Sequence, residues 1–255
     1  APRLCKLAAT LLGMASTSAL LPMAIMRSWS GSRQGTNSTT SARSASAPES
    51  TMRMSAFDTA AEGVTIRFAK SLDWNKQYKL DISYEAQPRK GMYFIGWNVT
   101  AENTTKNPYF TRKQIWTQGQ GIDNRHWIPC YDDVNDKLIT ETVITFDSSY
   151  TVISNGVLKS KKANADKTYT WHYAMDKPMV PYLIMVGIDK FGYRDYKSKN
   201  GITSRQYYYA DRPETAEPTY RYSAEMMDWM VAEYGVAYPW QTYCNVPVQD
   251  FMYGA

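Results

Sequence analysis

The residues that could do chemistry in this chain are few. His126 and His172 are the only histidines, 46 positions apart, and neither has a second ligand type at a metal-binding spacing. A zinc site needs three or four convergent His, Cys or carboxylate ligands, usually on short, fixed spacings. No metal ligand set is therefore expected within these residues. The three cysteines, Cys5, Cys130 and Cys244, are far apart and odd in number, which supports neither a zinc knuckle nor a disulfide framework. Cys130 and Cys244 sit in apolar text and read as buried free thiols. Arg125 beside Asp132 and Asp136 reads as a structural ion pair. His126, inside an Arg-His-Trp run, reads as packing, and His172, alternating with Tyr and Trp, as a solvent-side or cross-strand residue. On type alone, Gln118 and Gln120 are loop amides.

Composition narrows the function classes. The net charge is +5 over 255 residues, but residues 1–50 carry five basic groups and one acid, so the rest of the chain is nearly neutral. That balance gives no electrostatic footprint for nucleic acid. The hydrophobic fraction of 44% supports a packed core, and 20 tyrosines with 8 tryptophans favour strands over helices.

The elements that must position any site begin late. Ala, Ser and Thr fill 24 of the first 50 positions, and Leu7 to Met26 is uncharged behind Arg3 and Lys6. This resembles a signal-peptide core, which would make the protein exported or periplasmic. Ser16-Thr17-Ser18 and Pro22 disfavour a membrane span. A misread reading frame would produce similar text, and both readings leave residues 1–50 disordered. From Val64 onward the text is strand-like. Tyr78, Leu80, Ile82 and Tyr84 alternate with polar residues. Met92 to Trp97, Ile139 to Phe146, Thr151 to Ile153 and Thr168 to Ala174 follow, the last with Tyr169, Trp171 and Tyr173 on one face. Asn155-Gly156 is the strongest hairpin signal. Tyr182 to Ile188 reads as a strand covered on both sides. Lys190 to Gly201 reads as a polar, turn-rich seam, and Thr203 to Tyr209 as a further strand. Ala216 to Tyr234 then reads as one helix whose apolar face is Tyr222, Met226, Trp229, Met230 and Tyr234. Gly235 suits the position just past its end, and Tyr243 to Val248 can form another strand.

Three ordered motifs carry a family resemblance. The first is Trp116-Thr117-Gln118-Gly119-Gln120-Gly121, followed by Asn124-Arg125-His126-Trp127-Ile128-Pro129-Cys130-Tyr131-Asp132-Asp133 and Asp136-Lys137. The second is Gly235-Val236-Ala237-Tyr238-Pro239-Trp240. The third is Val246 to Ala255, ending in Tyr253-Gly254-Ala255. Together they resemble the zinc aminopeptidases of the aminopeptidase N and leukotriene-epoxide hydrolase family. Tyr253-Gly254-Ala255 resembles the first half of that family's Gly-Ala-Met-Glu-Asn signature. The resemblance covers about residues 64–255. Val134 departs from it, standing where Pro is usual, and residues 1–63 show nothing like the family's first strands.

The resemblance implies a mainly β chain, with a saddle-like β-sandwich N-terminal domain at 51–190. The first α/β part of a thermolysin-like catalytic domain follows at 191–255, and the chain stops inside the signature. It also implies site roles. Gln120, with Gln118 as its partner, would offer amide oxygens to the α-ammonium of a peptide N-terminus. Gly254 and Ala255, flanked by Tyr253, would line the substrate backbone as an added strand, where small residues permit close approach. No catalytic residue and no metal ligand is expected in this chain. The zinc, the H-E-x-x-H pair and the general base would belong to the remainder of the polypeptide, so the chain alone is expected to be inactive. The competing expectation is a non-catalytic β-sandwich that binds carbohydrate or protein through its many aromatic residues.

Overall fold

The structure, a computed structural model, describes residues 90–97 and 112–251, Ala86, Pro88, and the backbone of strands at 20–21, 54–60 and 63–68. The alternating stretch from Tyr78 to Tyr84 lies outside the described residues.

In chain order the strands are β1 (Leu20–Leu21), β2 (Met54–Ala60), β3 (Gly63–Phe68), β4 (Met92–Ile95), β5 (Gln114–Thr117), β6 (Leu138–Asp147) and β7 (Thr151–Ser154). They continue with β8 (Val157–Ala163), β9 (Thr168–Met179), β10 (Val186–Asp189), β11 (Phe191–Lys197) and β12 (Thr203–Tyr209). Helices α1 (Ala216–Tyr220) and α2 (Ser223–Tyr234) precede β13 (Thr242–Asn245). The protein is thus mainly β, as its aromatic-rich alternation predicts. Among the described residues no helix is long and apolar enough to cross a membrane.

Two antiparallel sheets form a sandwich. One has the order β6-β9-β8 and the other β4-β5-β10-β7. β6 shows why: Leu138, Thr140, Thr142 and Ile144 are buried, while Ile139 and Glu141 between them are exposed. On β9, Trp171, Tyr173 and Met175 form the facing buried row. They meet Ile115, Val152, Val186 and Ile188 of the other sheet in one continuous core. Tyr173 Oη donates to the Val152 carbonyl across that core at 2.8 Å, so its burial leaves no orphan hydroxyl. Burial pushes this phenol above its usual range.

A third sheet, β11-β12-β13, holds the antiparallel pair β11/β12 and the parallel pair β12/β13. The chain passes from β10 into β11 through Lys190 alone. The stretch from Lys190 to Gly201 is therefore mostly strand, with its turn at 198–201, rather than turn-rich throughout. Phe191 and Tyr207 pack with Ile153 of the sandwich, which explains why β11 begins so soon after β10.

Several further expectations are corrected. Asn155-Gly156 is not a hairpin turn. β7 pairs with β10 and β8 with β9, so this dipeptide is a corner between two sheets. The Asn155 amide explains the corner: it donates to the Leu183 carbonyl at 2.9 Å and accepts from Met185 N–H at 2.6 Å. Gly156, at φ 84°, lies so close to β9 that a Cβ would sit 2.0 Å from the Ala174 carbonyl oxygen. The run from Tyr182 to Ile188 is split, because Pro181 opens a 3-10 turn to Leu183 and only Val186–Asp189 forms strand. Those four residues are buried between β5 and β7, so the covered-strand reading holds for them. The strand-like chain also starts earlier than Val64, since β2 pairs antiparallel with β3. Met54–Ala60 is poor in β-branched residues, and strand pairing overrides that weak propensity.

The single helix expected at 216–234 is two helices, broken at Arg221-Tyr222. Gly235 ends α2 in the left-handed conformation at φ 64° and donates its N–H to the Val231 carbonyl. The buried side of α2 is Ser223 and Met227, not the expected aromatic face. Tyr222, Met226, Trp229, Met230 and Tyr234 are instead between 46% and 67% exposed. Cys130 is buried as expected, with its thiol pushed up by burial, whereas Cys244 on β13 is exposed rather than buried.

β10 ends on a buried carboxylate. Burial raises Asp189 to a pKa of about 6 from 3.8, against the opposing pull of the Lys190 N–H and the Arg112 guanidinium. Asp211, Tyr209, Tyr150 and the Lys190 ammonium are the other titratable groups around it. Between these two pKa values the native state holds more protons than the unfolded chain, so stability falls as pH rises through this window. Relative to Asp189→Asn, the protein is expected to lose about 2–3 kcal/mol of unfolding free energy between pH 4 and pH 7. Parallel denaturant titrations of the two proteins check this, and parallel pH profiles would contradict it.

Candidate functional site: the turn after β5 and the segment that docks on it

The site is built on β5. Gln114, Ile115 and Trp116 are buried, and the chain leaves the sheet at Gln118. Gln118 N–H donates to the Gly91 carbonyl at 2.9 Å, and Asp123 N–H to the Gly119 carbonyl at 3.2 Å. These bonds close a tight turn over residues 118–123, followed by a 3-10 turn at Asn124–His126. Gly121 takes φ 82°, which glycine adopts without the Cβ penalty.

Asn124 fastens this turn to the sandwich. It is fully buried, and its Nδ2 donates to the Pro181 and Ile184 carbonyls at 2.7 and 2.9 Å. Its Oδ1 accepts from Trp127 Nε1 at 2.8 Å. Gly119 makes room for it, because a Cβ there would lie 2.4 Å from the Asn124 side chain. A buried amide with both ends satisfied is a rigid anchor.

The two glutamines of the turn differ. Gln118 is half-buried, and its Oε1 accepts the Gln120 N–H at 3.1 Å, so this amide oxygen is used by the loop itself. Gln120 is exposed, which leaves its amide presented outward from a backbone held on both sides. The structure therefore brings Gln118 and Gln120 together but gives them separate jobs.

Downstream of the turn, Arg125 and Asp132 make the structural pair expected of them. Asp132 Oδ2 accepts the Arg125 N–H at 3.0 Å, and Arg125 Nη2 donates to the Asp132 carbonyl at 2.8 Å. Burial raises the Asp132 carboxyl, and the Arg125 contacts oppose it. Burial holds His126 below its ordinary value despite Asp123 at 3.6 Å. His172 bonds Glu141 across β6/β9 at 3.0 Å, a cross-strand role.

Tyr253, Gly254 and Ala255 lie outside the described residues, but the segment that leads to them is described to Phe251. It runs along β5. Gln114 Nε2 donates to the Pro247 carbonyl at 3.0 Å, and Gln114 Oε1 accepts the Gln249 N–H at 2.7 Å. Trp116 Nε1 donates to the Gln249 carbonyl at 2.9 Å, and its ring lies 5.6 Å from that of Phe251. Val248 packs on Tyr93, Ile95 and Trp116, and Val246 on Ile153 and Phe191. Gln114 and Trp116 thus hold 247–251 through side chains that copy a strand's donor and acceptor. Sequence reasoning missed both. Their partners are backbone atoms more than 130 positions away, so the local sequence carries no signal for these contacts.

Zinc does not fit the described residues. Among them no group of three or more His, Cys, Asp or Glu could hold a metal, and both histidines already face carboxylates.

With this geometry in view, comparison with known proteins is direct. The Peptidase M1 N-terminal domain matches residues 32–183. The chain belongs to the M1 peptidase family, whose members are zinc metallopeptidases. The match begins upstream of Val64, where the motifs first resemble the family. Mouse glutamyl aminopeptidase is 24% identical over 172 residues, covering 66% of this chain and 18% of the relative. Aminopeptidase A of Gloydius brevicauda is 23% identical over 205 residues, covering 76% and 22%. The chain thus spans about a fifth of the length of these relatives. An M1 zinc metallopeptidase of Deinococcus radiodurans, solved as a variant with a Tyr-Ser-Ala substrate bound, shares the fold at a TM-score of 0.68 and 15% identity. That alignment covers 96% of this chain and 54% of the other.

The two-point amide clamp yields a test. Gln114→Leu keeps the bulk but orphans the Pro247 carbonyl and the Gln249 N–H. Each partly buried orphan costs about 1–3 kcal/mol, so the docked segment should loosen by about 2–4 kcal/mol. Amide hydrogen exchange at 248–251 should accelerate while β6 and β9 stay protected. Unchanged exchange would mean that the clamp does not hold the segment.

Proposed function

We propose that this chain supplies the N-terminal β domain, 51–190, and the opening of the catalytic domain, 191–255, of a longer zinc aminopeptidase. The intact enzyme removes N-terminal residues from peptides. The observation that carries this reading is the shared use of β5. Its side chains hold 247–251, and its C-terminal end continues into Gln118–Gln120. Phe251 packs by Trp116, two residues before the turn, which supports one shared region for the turn and the motif that follows Phe251 in sequence.

In that region Gln120 offers an exposed amide oxygen to the substrate α-ammonium. A charge-assisted bond of this type contributes about 1.5–3 kcal/mol when water is excluded. Gln118 fixes the backbone from which Gln120 projects. Gly254 and Ala255 line the substrate backbone, with Tyr253 beside them. The zinc site and the carboxylate that opposes Gln120 belong to the rest of the polypeptide.

The exposed face of α2 supports the same reading. Tyr222, Met226, Trp229, Met230, Tyr234 and Val236 form an apolar surface of a kind usually covered by another element. Its occupant is the remainder of the catalytic domain. A chain spanning about a fifth of its relatives leaves ample polypeptide to cover it.

In the longer protein, Gln120→Ala should lower kcat/KM for aminoacyl anilides by about 10–100-fold, the loss expected for one charge-assisted bond. An unchanged kcat/KM would remove Gln120 from the site. The longer protein's turnover should be abolished by chelators, and the 255-residue chain alone should show none. Chelator-sensitive hydrolysis by the purified 255-residue chain would contradict this assignment.

A further inference from the structure

A cavity of about 650 Å³ lies at the other end of β5, where Arg112 precedes the strand. Arg112, Lys113, Tyr150, Asp189, Lys190 and Asp211 line it. Its volume falls in the range of small-molecule sites. It is separate from the Gln118–Gln120 turn, which leaves the opposite end of the same strand.

The polar groups of this cavity are only partly used. Asp189 has a side chain just 2% exposed, and its Oδ1 accepts the Lys190 N–H at 2.6 Å. Its Oδ2 is buried without a hydrogen-bond partner among the described residues. Arg112 gives Nη2 to both Asp211 oxygens at 2.7 Å and stacks on Tyr209 at 4.2 Å, while its Nη1 stands 3.9 Å from Asp189. Its Nε is also buried and unpartnered. Such orphans are rare in folded proteins, because each costs about 1–3 kcal/mol. The ammonium of Lys113 lies over the Trp97 ring and that of Lys190 over the Tyr150 ring, at 5.3 and 5.8 Å. Among the described residues neither ammonium has a carboxylate within ion-pair distance.

The open positions are thus one buried acceptor, one buried donor and two cationic side chains at the rim. A ligand that satisfies them needs a hydrogen-bond donor and, close beside it, an anionic oxygen pair. The geometry points to a binding site for a small carboxylate with an adjacent donor, the chemistry of an α-amino or α-hydroxy acid. The donor sits on Asp189 Oδ2, and the carboxylate takes Arg112 Nε and the Lys113 and Lys190 ammonium groups. A plain anion would leave Asp189 orphaned, and a plain cation would meet Arg112, Lys113 and Lys190.

Calorimetric or NMR titration of the purified protein at pH 7.5 with glycine, glycolate and acetate tests this. Glycine or glycolate should saturate at a Kd of about 1–10 mM, and acetate should bind at least about tenfold more weakly. Tighter glycine identifies an ammonium donor, and tighter glycolate a hydroxyl. The exposed pair Lys113→Met/Lys190→Met should weaken the preferred ligand at least about tenfold, and Asp189→Asn should erase its advantage over acetate. Gln120→Ala should bind it undiminished; loss of binding there would place the ligand in the peptide cleft and overturn the assignment. Equal binding of acetate, or no saturation by about 100 mM, would also overturn it, leaving ordered water as the partner of Asp189.

Discussion

One buried amide organises the functional half of this protein. Gln114 holds Pro247 and Gln249 with its two ends, as a neighbouring strand would, although the two segments lie more than 130 positions apart. Without it, the chain that returns from α2 and β13 would keep only the Trp116 bond to the Gln249 carbonyl to set its register against the sandwich. A leucine at 114 would bury well but could set no register, since apolar contact is non-directional. Hydrogen bonds from a fully buried amide are directional and costly to break. The sandwich therefore does more than fold: it fixes the path of residues 247–251 along β5.

The rigidity of the turn has a matching origin. Asn124 uses its whole amide on Pro181, Ile184 and Trp127, and Gly119 exists to admit it. The backbone of the turn is thus specified from beneath, by the same sandwich core that buries Trp171 and Tyr173. Gln120 can stay exposed because nothing about its own side chain is needed to hold the loop. Support of the loop is thus separate from the exposed side chain that it carries.

How much of this the sequence displays depends on the range of the interaction. β6 and β9 were legible because a half-buried strand writes its two faces into alternate residues, as Leu138, Thr140, Thr142 and Ile144 do. The end of α2 was legible because Gly235 must take a left-handed conformation. Asn155-Gly156 misled because a dipeptide states the turn but not which strands flank it; the side-chain bonds of Asn155 to Leu183 and Met185 decide that. The α2 face misled for a related reason. Periodicity finds an apolar stripe, and here the chain buries Ser223 and Met227 at the edge of that stripe instead of its centre. Gln118 and Gln120 are proposed only through resemblance, as nothing in an isolated Gln-Gly-Gln distinguishes a site from a loop. Gln114 stayed hidden because its partners are long-range backbone atoms, which leave no mark in local text.

In the proposed function, this chain is the front of a zinc aminopeptidase whose β domain presents Gln120 to a cleft completed by further polypeptide. Determining the coding sequence that flanks residue 255 tests this most directly. The account predicts that the frame continues with Met-Glu-Asn and reaches H-E-x-x-H within a few tens of codons. A stop codon directly after Ala255 would contradict it.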